Sequence, residues 1–354
     1  MGKLKYFLPF LFVPLLAVTG FFGWRFVMNL EKGSPEVLAY FTAPGASFVG
    51  EPVPAGTPPE PRRAFDFSET NLESPQEWWY FNAHLIDEHN RRYGLMIALL
   101  KTGQLLGTLT LVDHGLHFPL HRKGVVEPQP RLRMVSAPTS KLIQSFPDRY
   151  EYEFRFQHNV AQIQLHLKAN KYPLAVGGSG NIEMGNSGHS RYYSLTNMSV
   201  SGRGNIRGTD VTLTGKGWMD HQWGEWEDRE FDKWYWYSIQ LADNTEIMIF
   251  EFLKMNQVIS PICDVVLPDG TTKHGLKYEI EPIKTWVSPK SGRSWRLGWR
   301  ILIPEVGADI QMIPDLDDQE VTRSLWEGVC KVDGVFGGKP TKGLAFYEAR
   351  HRTW

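Results

Sequence analysis

The stretch Trp78-Trp79-Tyr80-Phe81-Asn82-Ala83-His84-Leu85-Ile86-Asp87 recurs as Trp234-Tyr235-Trp236-Tyr237-Ser238-Ile239-Gln240-Leu241-Ala242-Asp243. After a turn, Leu95-Met96-Ile97-Ala98-Leu99-Leu100-Lys101 is matched by Met248-Ile249-Phe250-Glu251-Phe252-Leu253-Lys254, the second turn being three residues shorter. Aromatic and β-branched runs of this kind pack well on a pleated surface. Each copy therefore predicts a long hairpin opening its own barrel, with a break near residue 216. Side chains alternate across a strand. Trp78, Tyr80, Asn82 and His84 thus share one face, and Trp79, Phe81, Ala83 and Leu85 the other. In the second copy Trp234, Trp236, Ser238 and Gln240 oppose Tyr235, Tyr237, Ile239 and Leu241.

The remainder of the folded part has the same texture. From Phe65 onward, short runs such as Tyr150–Gln157, Ala161–Leu167, Val211–Thr214 and Trp295–Ile303 alternate with Gly, Pro, Asn and Asp turns. No sustained 3.6-residue apolar stripe interrupts them, which predicts sandwiches or barrels. The 354 residues suggest two domains, and 38 Lys+Arg against 39 Asp+Glu leave no basic excess for a nucleic-acid partner. Thirteen Trp, thirteen Tyr and twenty Phe point to aromatic-lined sheets and an apolar ligand. The two cysteines, Cys263 and Cys330, form either a single disulfide or two buried thiols.

Nineteen uncharged residues separate Lys5 from Arg25, and Lys3 and Lys5 precede them. That length is near the roughly 20 residues that span a bilayer. Val18-Thr19-Gly20 also fits a signal-peptide cleavage site. Uncleaved anchor or cleaved signal, the bulk of the chain is expected outside the cytoplasm, periplasmic or extracellular. Seven prolines between residues 33 and 63 read as a semi-extended tether.

Chemistry concentrates in Gly217-Trp218-Met219-Asp220-His221-Gln222-Trp223-Gly224-Glu225-Trp226. If extended, Trp218, Asp220 and Gln222 face one way, and Met219, His221 and Trp223 the other. A histidine beside an indole suits proton transfer next to a developing cation. The other reading of the segment is a structural aromatic corner joining the barrels. Glu251, flanked by apolar residues, is either a partly desolvated acid with a raised pKa or a rim acid paired with an arginine. Asp113, His114 and His117 do not share a strand face, so a local metal pair is not expected. Gly177-Gly178-Ser179-Gly180 lacks the Lys-Ser/Thr of a phosphate loop. Gly-x-Ser-x-Gly is absent, which leaves serine hydrolysis unsupported.

Four segments carry a resemblance: Glu73-Ser74-Pro75-Gln76-Glu77-Trp78-Trp79-Tyr80, Tyr192-Tyr193-Ser194-Leu195, Gly217 to Gly224, and Trp326-Glu327-Gly328. Over about residues 65–354 the chain resembles the lipocalin-like family that includes carotenoid 1,2-hydratase (hydroxyneurosporene synthase) and bacterial AttH-type exported proteins. The Trp-Met-Asp-His wording is closer to the exported branch. The resemblance implies an all-β fold of two lipocalin-like antiparallel β-barrels packed together, after an N-terminal hydrophobic helix and a Pro-rich linker. The expected divisions are 1–30, 31–64, 65–216 and 217–354. Relatives of this architecture catalyse Diels–Alder cyclisations or hydrate an isoflavonoid prenyl group. By resemblance, His221 and Trp223 match the His-x-Trp of the hydratases, and Glu251 stands nearest their aspartic acid.

The expected function is acid-catalysed hydration or cyclisation of a lipophilic unsaturated molecule in an aromatic pocket between the barrels. The expected catalytic residues are His221, Glu251 and Asp220. Trp223, Trp218, Trp78, Tyr80, His84, Trp234, Trp236 and Tyr193 are expected against the substrate. No cofactor, metal or nucleic acid is expected; the partners are a lipophilic small molecule and, through the N-terminal segment, a membrane. A membrane-tethered carrier of a hydrophobic ligand and an exported hydrolase are the alternatives.

Overall fold

The computed structural model describes residues 74–127, 133–136, 140–146, 150–227 and 231–352. The expected N-terminal helix, anchor and Pro-rich linker lie outside these residues. No helix among the described residues is long and apolar enough to cross a membrane.

Nearly all of the described chain is strand. The first half contains β1 (Gln76–Asp87), β2 (Arg92–Leu100), β3 (Gln104–Leu111), β4 (Leu116–Glu127), β5 (Arg133–Ser136) and β6 (Ser140–Phe146). It continues with β7 (Glu151–His158), β8 (Ala161–Ala169), β9 (Leu174–Ala175), β10 (Asn181–Glu183), β11 (Gly188–Ile206) and β12 (Thr209–Trp226). These twelve form one antiparallel sheet, and pairing of β8 with β11 curls it back on itself. The second half contains β13 (Lys233–Leu241), β14 (Glu246–Lys254), β15 (Gln257–Val266), β16 (Thr272–Lys273) and β17 (Glu279–Val287). It ends with β18 (Ser294–Ile303), β19 (Ala308–Pro314), β20 (Glu320–Thr322), β21 (Leu325–Phe336) and β22 (Lys339–His351). This ten-stranded sheet runs β16-β15-β14-β13-β22-β21-β19-β18-β17, with β20 on β21.

The expected pair of antiparallel barrels is therefore observed, and the two halves repeat one plan. In each, the opening strand is flanked by its hairpin partner and by the last long strand: β1 by β2 and β12, β13 by β14 and β22. The hairpin turns match chemically. Asn90 and Asn244 adopt positive φ (61° and 65°), which asparagine tolerates. Asp87 and Asp243 accept backbone N–H groups two residues on, at 2.9 Å each.

Two details differ from the sequence reading. The expected boundary at 216/217 falls inside β12, and the chain changes sheets between Trp226 and Lys233. The Gly217–Trp226 segment closes the first barrel because it pairs along its length with β1 and β11. The second difference is in register. Trp79 opposes Leu99 and Tyr235 opposes Glu251, so Glu251 corresponds to Leu99 and not to Ala98. The shorter second turn moves the alignment by one residue, which exchanges faces.

Alternation sorts the side chains into three cores. Trp79, Phe81, Ala83, Leu85, Leu95, Ile97 and Leu99 fill the first barrel. Tyr235, Tyr237, Ile239, Leu241, Ile247 and Ile249 face into the second. Tyr80, Met96, Trp218, Trp236, Met248, Phe250 and Phe346 form a third core in the seam between the sheets. At Gly94 a Cβ would lie 2.3 Å from Val329 Cγ1, so glycine lets β2 approach β21. Cys263 and Cys330 are buried free thiols in the second barrel.

Polar ties also cross the seam. Lys171 Nζ donates to Glu246 Oε2 (2.7 Å), Asn244 O (2.6 Å) and Leu267 O (2.7 Å). Asn197, which opens a glycosylation sequon, is buried and donates to Glu246 Oε1 at 2.6 Å. Arg92 grips Asp315 through both guanidinium nitrogens at 2.8 and 2.7 Å. Lys171→Met strands the Glu246 carboxylate, and urea unfolding is expected to record a loss of about 3–5 kcal/mol. Adding Glu246→Leu to that variant is expected to restore part of the loss.

Candidate active site

Strand β12 decides which sequence candidates meet. Asp220 and His221 are neighbours on it and project from opposite faces, so they cannot act on one ligand. The His221 side chain enters the first barrel, fully buried. Its Nε2 lies 2.9 Å from Glu77 Oε1, and its ring stacks on Trp79 (5.1 Å, 16°) beside Trp223 (4.4 Å) and Tyr193 (5.3 Å). Trp223 and Tyr193 belong to the same packed core. Glu251 points into the second barrel, where its Oε1 accepts from Tyr278 OH at 3.0 Å. The expected His221–Glu251 acid–base pair is thus split between two barrel interiors, because each residue sits on the inward face of its strand.

The opposite faces converge on a cavity of about 330 Å³ in the seam. Trp78, Tyr80, Trp234 and Trp236 line it, together with Asp220. Trp218 stands behind Asp220 and donates Nε1–H to its Oδ1 at 2.6 Å. His84 shares the seam face but packs on Phe346 (4.7 Å) away from the cavity; burial lowers its pKa to about 3. The lining residues outside the expected set include Tyr192, Glu327 and Glu348. Glu327 lies in the Trp326-Glu327-Gly328 motif, and Tyr192 in the Tyr192-Tyr193 pair, of which Tyr193 is the expected contact. Glu348 carries no sequence signal, because only the pairing of β21 with β22 sets it opposite Glu327.

Three carboxyl groups therefore share one aromatic-walled hollow. Asp220 Oδ1 accepts from Ser194 Oγ (2.6 Å) and Trp218; its Oδ2 accepts from Tyr192 OH (2.5 Å), which in turn accepts from Trp236 Nε1 (3.0 Å). Burial pushes this carboxyl up to about 7, against the pull of those hydrogen bonds. On the facing sheet, Glu327 accepts from Tyr80 OH, and Glu348 from Trp234 Nε1. Glu327 and Glu348 are hydrogen-bonded to each other. Burial first and the Glu348 charge second hold Glu327 well above the usual carboxyl range. Burial raises Glu348 too, opposed by Trp234, Glu327 and Arg350. The Arg350 guanidinium caps the mouth over the Trp234 ring at 4.2 Å.

Such a set can hold a proton on Glu327 at neutral pH and take one on Asp220. All donors around Asp220 suit the anion, whereas the paired glutamates cannot both ionise at low cost. Environments that separate the pKa values of nearby acids assign acid and base roles.

Fold and site together define a twin-barrel β-protein with an acidic, aromatic seam. The chain belongs to the AttH-like family, whose model matches residues 131–349. An AttH-type protein of Nitrosomonas europaea is 21% identical, with a TM-score of 0.70 over 83% of this chain and 99% of that one. Kievitone hydratase of Nectria haematococca is 17% identical, with a TM-score of 0.74 over 87% and 99%. The protein CghA is 10% identical, with a TM-score of 0.55 over 85% and 98%. At these identities the likeness is one of fold. Among curated proteins the sequence finds no match.

The raised Asp220 pKa has a consequence for stability. A carboxyl near 3.8 unfolded and about 7 folded stabilises the protein fully below pH 4 and loses that contribution as pH rises to 7. Unfolding free energy is expected to fall across this window, with Asp220 contributing on the order of 4 kcal/mol. The Asp220→Asn variant is expected to flatten that decline in urea titrations run at successive pH values.

Proposed function

We propose that this protein is a general-acid enzyme that hydrates or cyclises a lipophilic, unsaturated small molecule in the seam cavity. One observation carries the reading: Asp220, Glu327 and Glu348 converge in a hollow walled by Trp78, Trp234, Trp236 and Phe250. Buried carboxyls are costly to a fold, and a set of them in a cleft marks a functional site. The AttH-like family and the fold shared with kievitone hydratase support a hydratase-type reaction.

In this mechanism Glu327 gives its proton to an alkene carbon. The O–H bond breaks as a C–H bond forms, and the two carboxylates left on Glu327 and Glu348 are offset by the cation that forms facing them. The carbocation is held by the indole faces and the carboxylates. Capture by water forms a C–O bond, and the water's proton passes to Asp220; capture by a second π bond forms a C–C bond, closes a ring and moves the charge to a new carbon, which loses a neighbouring C–H proton to Asp220 to leave an alkene. Proton exchange with solvent returns Glu327 and Asp220 to their starting states. Under this reading the run between Lys5 and Arg25 tethers the enzyme to the membrane in which such a substrate dissolves, with the folded part outside the cytoplasm.

The test is a panel of prenylated phenols and linear polyenes incubated in D₂O and followed by mass spectrometry. Products carrying one added water, or isomers carrying one carbon-bound deuterium, are expected. Glu327→Gln and Asp220→Asn are each expected to cut the rate by about 10²–10⁴-fold, whereas Glu251→Gln is expected to leave it near wild type. Unaltered ligand throughout, or full activity in both seam variants, would overturn the assignment.

A further inference from the structure

The two barrels differ in what they enclose. Among the described residues, the first barrel's interior holds a hollow of only about 10 Å³ beside Phe81 and Phe154, too small for a ligand. The second barrel retains an open cup of about 780 Å³, within the range of small-molecule sites. It exists because β17 and β16, the edges of the second sheet, do not pair. Its wall includes Tyr235, Leu253, Leu276, Tyr278 and Trp299, with Lys277, Glu279 and Arg296 exposed at the mouth.

The repeat supplies an internal comparison. Where the first barrel packs Leu99 opposite Trp79, the second presents Glu251 opposite Tyr235, buried and facing the cup. Leucine satisfies the fold at this position, so the carboxyl is not needed for architecture. It is also an expense, since a buried acid without a cation is destabilising. Among the described residues Glu251 has one hydrogen-bond partner, Tyr278, and no salt bridge. Burial raises its pKa, and Tyr278 engages only Oε1, which leaves the second carboxyl oxygen to hydrogen-bond a guest in the cup.

We propose that the cup of the second barrel is a second small-molecule site, for an uncharged amphiphile whose hydroxyl group hydrogen-bonds to Glu251. The apolar body lies against Trp299, Leu253 and Leu276. No second charge stands at that depth to hold an ionic head group. This site is separate from the seam: β13 and β14 wall both, with Trp234, Trp236 and Phe250 turned to the seam and Tyr235, Glu251 and Leu253 to the cup. The inference does not depend on the seam being catalytic.

Isothermal titration of the full chain with 1-decanol, decanoate and decyltrimethylammonium tests it. Decanol is expected to bind most tightly, with Glu251→Leu and the cup-filling Leu276→Trp each weakening it at least about ten-fold. Glu251→Gln keeps a donor and is expected to stay within a few-fold of wild type. Ala98→Trp fills the seam cavity, blocks turnover there and is expected to leave decanol binding in place. Glu251→Leu installs the first barrel's residue and is expected to melt no lower than wild type. No decanol binding, undiminished binding in Glu251→Leu, loss of it in Ala98→Trp, or tighter binding of either ion would each overturn the proposal.

Discussion

The strands at the centre of the molecule have no solvent face. Each of β1, β2, β13 and β14 is pressed between a barrel interior on one side and the seam on the other, so both halves of the alternating pattern must be satisfied in the dry. The apolar halves are satisfied by packing. The polar halves are satisfied across the seam, where Asn82 donates to Ser238 Oγ at 3.2 Å and Gln240 to the carbonyls of Thr196 and Gly217 at 2.8 and 2.9 Å. Separating the barrels would leave these groups, the Lys171–Glu246 pair and the apolar seam core without partners. Neither barrel is therefore an independent unit, although each has its own core.

Within that constraint the buried acids of the seam are the exception. Hydrogen bonds from Ser194, Trp218 and Tyr192 occupy three of the acceptor positions of Asp220 and make its anion tolerable. Glu327 and Glu348 receive one outside donor each and depend on one another for the rest. A low-dielectric wall of indoles strengthens all of these interactions at once. The cleft thus holds protons of different strength on its two sides, a division of labour set by donor count and not by residue type.

His221 shows how the same physics removes a candidate. It is a histidine among tryptophans, the pattern expected of a proton-transfer site, but Glu77 and stacked rings occupy its surroundings. Its position ties β12 to β1 inside the first barrel. Asp220, one residue away, inherits the cavity because a strand turns adjacent side chains 180° apart.

Periodicity, turn chemistry and the duplicated aromatic hairpin determined the all-β class, the two barrels and the facing pattern of each opening strand, since these depend on residues close in sequence. Strand parity also separated Asp220 from His221 and grouped Trp78 with Tyr80, and Trp234 with Trp236. The tertiary structure alone decided which face of β12 looks into a cavity, that Glu251 replaces Leu99 and not Ala98, and that β12 ends the first barrel. It alone set Glu348 beside Glu327 and Tyr80 against Glu327. Such contacts join residues up to 247 positions apart, and their register follows from which strands pair, a quantity no local pattern contains.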